Sequence, residues 1–397
     1  MRSRVLFAPL LPALVLLLAA PSRAAEPGVS EPLKPFVEKG SLAGAVVLVA
    51  SPDKVLAVEA VGFADRETKT PMRADNVFWI ASMSKPITAA GLMMLVDEGK
   101  VALDDPIEKY LPEFKGQMVV AEKDADHVLL KKPQRLPTIR DCLRHTSGMP
   151  FVSALESPTI DRFQLRDAVK SYAMTPLQYE PGTRYVYSNA GINTTGRVIE
   201  VVSGTPYEVF LEKRLFAPLG MKDTTFVPSD EQVKRLAKSY RPDKDGVLQP
   251  TTVTALRYPL TDPTRQPVPG GGLFSTATDV AAFGQLVLNG GTCRDKRILS
   301  AAAVREMTGT QTGDVPNKGQ GEGGYGLGFS TTRKAKPDGP AVAGPCGHGG
   351  AYATNLWVDP DRKLVMVFMV QHAAFANNEG GKIRAAFEKA AADAYGK

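Results

Sequence analysis

Apolar residues follow different periods in different parts of the chain, and the change of period predicts where strands and helices lie. Near the beginning, two short apolar runs are separated by the turn residues Pro52 and Asp53. Near the end, two more runs enclose the sequence Asp-Pro-Asp-Arg at residues 359–362, which is typical of a β-hairpin. The four predicted strands are residues 44–51, 55–63, 354–358 and 364–371.

Helical spacing is clearest over residues 84–99, where Gly99 stands in the position of a C-terminal cap. Residues 277–288 predict another helix, because Thr276 and Asp279 have the spacing of a capping box. Two further helices are predicted over residues 32–39 and 379–395, and the last of them is amphipathic.

Strands near both chain ends, with helical segments between them, predict an α/β (α+β) fold. We expect one antiparallel sheet built from both ends of the chain, flanked by helices and joined to a helix-rich lobe. The sheet part covers about residues 25–80 and 270–397, and the lobe covers about residues 81–269. Residues 241–272 contain six Pro and end in three Gly, which predicts a long loop at the rim of a site.

Composition and charge change this picture only at the beginning of the chain. The 397 residues are 43% hydrophobic and 23% charged, as in ordinary globular proteins. Two Arg precede a 16-residue apolar run, and Ser-Arg-Ala at residues 22–24 has the pattern of a cleavage site, so residues 1–24 are predicted to be a secretory signal peptide. Its removal takes three of the 48 Lys and Arg and none of the 42 acidic residues, leaving a net charge of +3. Such a balance gives no support to nucleic-acid binding.

Export to the periplasm or beyond follows from this interpretation, with no stable membrane span after cleavage. A retained membrane anchor is the alternative, but the apolar run is short for a span and contains Pro9 and Pro12. The three Cys are too few for a disulfide scaffold. A single disulfide between Cys142 and Cys346 stays open in an oxidising compartment.

The first motif with chemical potential is Ser-Met-Ser-Lys at residues 82–85. Ser82 and Lys85 lie three residues apart at a predicted helix start, so their side chains share one face. A Ser hydroxyl is a weak nucleophile unless a base removes its proton, and a Lys in an apolar cleft can do so when burial lowers its pKa. The free N–H groups of a helix start also favour negative charge at a reacting carbonyl. The alternative is a solvated Ser beside a surface Lys.

Two further motifs lie later in the chain. In Tyr-Ser-Asn at residues 187–189, Tyr187 and Asn189 would point the same way from an extended segment. A phenol near an amine can share its proton, and an amide can bind a carbonyl; the alternative is a half-buried Tyr with a turn Asn. In Gly-His-Gly-Gly-Ala at residues 347–351, a backbone N–H can complete an oxyanion hole and His348 can bind substrate. The alternative is an ordinary glycine turn.

Together, and in this order, these motifs resemble those of the serine β-lactamase and penicillin-binding-protein superfamily. The resemblance is closest to class C β-lactamases and family VIII carboxylesterases, and it covers about residues 30–390. It implies a β-lactamase/transpeptidase-like fold and a single serine hydrolase domain over residues 25–397. Four flanking segments strengthen it: VFWIASMSK (77–85), LRHTSGM (143–149), PGTRYVYSNAG (181–191) and GGGLFSTATDVAAF (270–283).

The resemblance also implies a role for each matching residue. Ser82 would be the acylated nucleophile, Lys85 would help to deprotonate it, and Tyr187 would relay protons. The N–H groups of Ser82 and Ala351 would form the oxyanion hole. The residues expected to bind substrate are Asn189, His348, Gly349 and Gly350. No metal or organic cofactor is implied. The pairs Cys142/His145 and Cys346/His348 could be mistaken for a zinc site, but the resemblance places His145 in a structural loop and His348 in the cleft.

One departure from the family pattern bears on the substrate. His348 occupies the position of the Lys in the K-T-G motif of most β-lactamases, and Gly349 replaces the Thr. A neutral His cannot hold a carboxylate as Lys does, which costs such a substrate roughly 1.5–3 kcal/mol. We therefore expect a carboxylesterase that cleaves small acyl esters. The alternatives are a β-lactamase or D,D-carboxypeptidase acting on cyclic or D-Ala-D-Ala amides, and a non-catalytic penicillin-type sensor or scaffold.

Overall fold

The computed structural model describes residues 28–313, 315, 323–332 and 344–396. In chain order the strands are β1 (Gly44–Ala50), β2 (Val55–Asp65), β3 (Thr70–Pro71), β4 (Phe78–Trp79), β5 (Val119–Lys123), β6 (Val128–Lys131), β7 (Ser239–Pro242), β8 (Leu248–Thr251), β9 (Phe274–Ser275), β10 (Thr292–Cys293), β11 (Lys296–Arg297), β12 (Gly324–Tyr325), β13 (Ser330–Thr331), β14 (Cys346–Gly349), β15 (Asn355–Asp359) and β16 (Leu364–Met369). The α-helices are α1 (Lys34–Glu38), α2 (Ser84–Asp97), α3 (Ile139–Leu143), α4 (Leu165–Met174), α5 (Asn189–Ser203), α6 (Tyr207–Leu211), α7 (Ala217–Leu219), α8 (Asp230–Lys234), α9 (Ala277–Leu288), α10 (Ala301–Thr308) and α11 (Glu379–Tyr395).

An eight-stranded sheet joins the two ends of the chain. Its order is β12-β13-β14-β15-β16-β1-β2-β3, and its neighbouring strands are antiparallel. β1 lies between β2 and β16, and Val47 pairs with Glu59 on one side and Phe368 on the other. The predicted antiparallel sheet from both chain ends is therefore confirmed.

Both faces of the sheet are covered, which explains why β1 is apolar along its whole length. Val46 and Leu48 belong to the larger core, which also contains residues of α2 and α9. Val47 belongs to a smaller core on the opposite face, where Phe387 of α11 stacks on Phe368 at 6.1 Å. A strand that is buried on both faces does not show the usual alternation of apolar and polar residues. A short, continuous apolar run is therefore the sequence pattern that predicts such a strand.

The lobe is built around α2, which packs against α5. Residues 84–95 of α2 are buried without interruption, so this helix is surrounded by protein rather than lying on a surface. β4 pairs with β9, and the Ile80 N–H donates to the Leu273 carbonyl at 2.9 Å. This pairing brings the segment before Ser82 against the three glycines that end the long loop.

The predicted elements at both ends are confirmed with small shifts. The final helix and the helix over residues 277–288 have the predicted bounds, and the first helix begins one residue earlier than predicted, with a 3₁₀ turn at Glu31–Leu33 that continues into α1. The loop prediction was wrong at the start of residues 241–272, because β7 and β8 form a hairpin there. The division into a sheet part and a lobe at the stated boundaries stays a prediction.

The predicted signal peptide, residues 1–24, lies outside the described residues. None of the helices in the described part of the chain has the length and hydropathy needed to cross a bilayer. Cys142, Cys293 and Cys346 are free thiols, and Cys142 and Cys346 are buried. The possible disulfide between those two residues is therefore not formed.

Candidate active site

Ser82 lies in a tight turn at the start of α2. The turn is a 3₁₀ helix over Ala81–Met83, and Ala81 has a φ of +46°, in the left-handed region. That conformation costs a non-glycine residue roughly 1–2 kcal/mol, so the surroundings must hold it. Ser84 does so, since its hydroxyl donates to the Ala81 carbonyl at 2.7 Å and accepts from the Leu273 N–H at 3.2 Å. These two bonds fix the turn that carries the Ser82 side chain at the start of α2.

Lys85 lies one turn further along and is completely buried. Its Nζ is 3.0 Å from Ser82 Oγ and 2.6 Å from the Gly270 carbonyl oxygen. Burial holds the pKa of this amine well below its usual value, and no carboxylate among the described residues forms a salt bridge with it. An uncharged amine has a lone pair. With one N–H directed at Gly270, that lone pair can accept the Ser82 proton.

Tyr187 completes the group predicted from the motifs. The Lys85 Nζ lies over its ring, 4.7 Å from the centroid, and the nearby Ser82 hydroxyl partly offsets the rise in the pKa of the phenol. Burial raises the pKa of the phenol well above 10, so it is protonated at rest. The structure thus brings the side chains of Ser82, Lys85 and Tyr187 together. The Ser82 hydroxyl lies close to both the Lys85 amine and the Tyr187 phenol.

His145 holds Tyr187 from both sides. Its carbonyl accepts from the Val186 N–H at 2.9 Å, its Nδ1 accepts from the Ser188 N–H at 3.2 Å, and its ring lies 4.4 Å from that of Tyr187. Burial holds the pKa of His145 well below 6.5, which keeps Nδ1 free to accept. The resemblance implied only a structural loop here. The structure makes His145 the support of the tyrosine.

His348 lies on β14 and is buried. Its Nδ1 is 2.7 Å from the Gly349 carbonyl oxygen, and its Nε2 is 3.0 Å from the Tyr325 hydroxyl. Because a carbonyl oxygen only accepts, Nδ1 carries the proton and Nε2 accepts from Tyr325. Burial lowers the pKa of His348 to about 3, so the ring is neutral near pH 7. Both ring nitrogens have protein partners, and the predicted contact of His348 with substrate stays a prediction.

The glycines after His348 allow the backbone to approach the nucleophile. A Cβ on Gly350 would lie 2.5 Å from the Ile80 carbonyl oxygen and 2.1 Å from Thr354 Oγ1, so only glycine fits. Ala351 follows directly and is exposed. Among the described residues neither its N–H nor that of Ser82 has an acceptor, and both are available to a carbonyl oxygen. The predicted roles of Gly349 and Gly350 at the substrate stay predictions.

Asn189 is the first residue of α5, and the hydroxyl of Ser188 caps this helix by accepting from the Gly191 N–H at 3.1 Å. The Asn189 Oδ1 is buried and has no partner in the described part of the chain. It lies 3.2 Å from the position that a Cβ on Gly270 would take, and therefore beside the acceptor of Lys85. Its side chain is close to the reactive group, and its contact with substrate stays a prediction.

Comparison with known proteins decides the family. The family model described as Beta-lactamase matches residues 29–391. The chain belongs to the β-lactamase family. This β-lactamase-family protein is a serine hydrolase, and its sheet and helices form the β-lactamase/transpeptidase-like fold that the motifs predicted.

Three similar proteins give the range of activities named in the family. Esterase EstB of Burkholderia gladioli is 30% identical over 364 residues, which cover 84% of this chain and 86% of EstB. An Escherichia coli protein whose name provisionally assigns D-alanyl-D-alanine carboxypeptidase activity is 28% identical over 311 residues, 71% of this chain and 65% of that protein. The solved structure of EstCE1, a hydrolase with promiscuous acyltransferase activity, has a TM-score of 0.73 and 26% identity, and it covers 91% of this chain and 97% of EstCE1.

Sequence reasoning on this β-lactamase-family hydrolase missed three contacts of the site. They are the Gly270 carbonyl at Lys85, the support of Tyr187 by His145 and the hydroxyl of Tyr325 at His348. The resemblance had already singled out the segments that contain His145 and Gly270. No local pattern marks Tyr325, because its partner lies 23 residues further along the chain.

Proposed function

We propose that this chain is an exported carboxylesterase that hydrolyses small, uncharged acyl esters through an acyl-enzyme on Ser82. The observation that carries the proposal is the buried Lys85 amine, whose pKa burial holds well below its usual value, hydrogen-bonded to Ser82 and covered by the ring of Tyr187. Such an amine is a base with no competing counter-ion, which is what a serine nucleophile requires.

Acylation starts with transfer of the Ser82 proton to the Lys85 Nζ as the Ser82 oxygen bonds to the ester carbonyl carbon. The carbonyl oxygen becomes an oxyanion, which the N–H groups of Ser82 and Ala351 stabilise. The intermediate then expels the alkoxide. Tyr187 gives its proton to this leaving group and recovers one from the Lys85 ammonium, so the amine is neutral again.

Deacylation uses the same groups with water in place of the alcohol. Water transfers a proton towards Tyr187 and Lys85 as its oxygen bonds to the acyl carbon, and the second intermediate breaks its bond to Ser82. The serine oxygen takes back the proton that water supplied, which releases a carboxylic acid. An alcohol in place of water would give acyl transfer instead, with the same residues and the same proton balance.

The preference for uncharged esters is supported by the state of His348. Its ring is neutral and both of its nitrogens bond to Gly349 and Tyr325, while Gly349 offers no hydroxyl. A carboxylate-bearing substrate therefore lacks the charge-assisted bond of a K-T-G motif, a loss of about ten- to a hundredfold. The esterase name of EstB supports the same choice, whereas the E. coli relative supports a D,D-carboxypeptidase as the second candidate.

The test is the ratio of kcat/KM for p-nitrophenyl butyrate to that for nitrocefin, with Ser82→Ala as the blank. We expect the ester to be preferred by tenfold or more, and a fluorophosphonate probe to label wild type but not Ser82→Ala. A large nitrocefin advantage would contradict the ester assignment. Absence of labelling in a folded protein would favour a non-catalytic sensor or scaffold.

Export is proposed from residues 1–24 alone. Expression of the full chain in a Gram-negative host, followed by fractionation and N-terminal sequencing, tests it. We expect periplasmic protein that begins at Ala25. Protein that keeps its first residues and sediments with membranes would support the retained anchor instead.

A further inference from the structure

A buried carboxyl group that the proposed reaction does not use is connected to Lys85 through Asn193 and Gly270. Glu156 is 5% exposed, and no salt bridge reaches it within the described residues. Its Oε1 accepts from the Tyr172 hydroxyl at 2.7 Å and from Asn193 Nδ2 at 3.3 Å, and its Oε2 accepts from the Ser153 N–H at 2.7 Å. Burial of a carboxyl group without a cation costs free energy, which its three hydrogen bonds offset.

Asn193 connects this carboxyl group to the long loop. Its Nδ2 also donates to the Tyr172 hydroxyl at 2.9 Å, and its Oδ1 accepts from the Gly270 N–H at 2.8 Å. The Gly270 N–H can only donate, and Glu156 in its ionised form can only accept. The amide of Asn193 therefore has one possible orientation, with its oxygen towards the loop and its nitrogen towards Glu156.

Gly270 carries this constraint to Lys85. Its carbonyl oxygen is the 2.6 Å acceptor of the Lys85 Nζ. The preceding residue, Pro269, is fixed as well, since its carbonyl accepts from Thr88 Oγ1 at 2.8 Å and its ring lies where a Cβ on Gly196 would come within 2.3 Å of it. The loop is thus held against α2 and α5 at the peptide that orients the base.

We propose that Asn193, held by Tyr172 and Glu156, is a positioning residue for the general base, acting through Gly270. The inference rests on the proposed function, because it concerns how Lys85 activates Ser82. With one N–H of the amine directed at the Gly270 oxygen, the lone pair faces Ser82. When the amine takes the Ser82 proton, the same oxygen stabilises the ammonium. A loop peptide free to rotate would provide neither effect.

The first test replaces Asn193 by Leu, which has a similar size and forms no hydrogen bonds. The control is Asn76→Leu, since Asn76 is also buried and also bridges two backbone segments, with 2.6 Å bonds to the Arg73 N–H and the Arg235 carbonyl. Fluorophosphonate inactivation of Ser82 is measured as kinact and KI. We expect Asn193→Leu to lower kinact about tenfold at unchanged KI, and Asn76→Leu to leave kinact within about twofold.

A second pair keeps the proposal testable if Asn193→Leu fails to fold. Glu156→Gln retains an oxygen that can accept from Tyr172 and Asn193 and gives up only the acceptor of the Ser153 N–H, whereas Glu156→Leu removes the acceptor of all three donors. We expect the Gln variant to keep kinact within about threefold of wild type and the Leu variant to lose about tenfold. Equal kinact in the two Glu156 variants, or an unchanged kinact in Asn193→Leu, would overturn the inference.

The outcome separates this inference from the proposed function. Wild type that is not labelled at all contradicts the proposed function and the inference with it. Wild type that is labelled at Ser82, together with an unaffected Asn193→Leu variant, contradicts the inference alone.

Discussion

The start of α2 and the long loop after β8 each bury a basic side chain. The side chain in the loop has a carboxylate partner, and the one in α2 has none among the described residues. Arg265 in the loop is 3% exposed, and its Nε lies 2.6 Å from Asp161 Oδ2. Its Nη1 donates to the carbonyls of Phe226 and Leu260 at 3.1 and 2.8 Å. Lys85 is equally buried, but its partners are a hydroxyl and a single carbonyl.

The difference shows what each region is for. A buried charge with a matched counter-charge stays charged and holds two segments together, here the loop and the segment around Asp161. A buried amine without one has a lowered pKa, so it loses its proton more easily and can act as a base. The rim of the site is fixed by the first arrangement, and its chemistry comes from the second.

Replacement of Lys85 by Met breaks the comparison most strongly. Esterase activity is expected to fall by at least about a thousandfold, because the base is lost. The free energy of unfolding is expected to stay the same or rise, since a buried polar group is replaced by an apolar one of similar length. Steady-state kinetics and denaturant unfolding measure the two effects. A Met variant that is both active and much less stable would contradict the assigned role of Lys85.

Asp161→Leu tests the other half. It leaves Arg265 buried without its partner, and the free energy of unfolding is expected to fall by about 3–5 kcal/mol. Asp126→Leu is the control, because Asp126 is an exposed carboxylate whose change should cost less than about 0.5 kcal/mol. Urea denaturation compares them, and similar losses for the two variants would show that the buried pair is not a major stabilising contact.

A third buried basic side chain, His348, is expected to make the free energy of unfolding depend on pH. Its folded pKa is lowered to about 3 from an ordinary 6.5. Below pH 6.5 the unfolded chain therefore binds a proton that the folded chain does not, and the stability that His348 contributes is lost progressively as the pH falls from about 6.5 towards 3. Between pH 7 and 4, urea denaturation should show a smaller decrease in the free energy of unfolding for His348→Gln than for wild type. Parallel curves would indicate that the ring is not held neutral by its surroundings.

The smallest effect is expected at the surface. Lys389 and Asp393 form an exposed pair one turn apart on α11, at 2.5 Å. Lys389→Met should change the free energy of unfolding by less than about 0.5 kcal/mol and leave kcat/KM unchanged. A larger loss in urea denaturation would mean that exposed pairs in this fold contribute more than the comparison with Arg265 allows.

The positions of strands and helices were predictable where the residues of a single segment determine them. The apolar run of β1 and the capping residues of α9 lie within single segments of sequence, so their positions follow from neighbouring residues. The β7/β8 hairpin was missed because its strands are four residues each and contain Pro242 and Pro250, which weaken a strand pattern.

The site divides in the same way. Ser82 and Lys85 meet because they are one helical turn apart, which a sequence shows directly. The approach of Tyr187 was expected only from the resemblance. The bond between Lys85 and Gly270 joins residues 185 positions apart, and no periodicity can predict such a contact. Its donor and acceptor are also ordinary groups, a Lys amine and a main-chain carbonyl.

The position of β1 in the sheet determines when its two neighbouring strands become available during synthesis of the chain. Val47 emerges early from the ribosome, whereas its neighbour Phe368 is made roughly 320 residues later. At about 5–20 residues per second, this is a delay of about 15–65 seconds. Throughout that interval β1 presents an unpaired edge to every other strand in reach. The sheet can close only after the last hairpin has been synthesised.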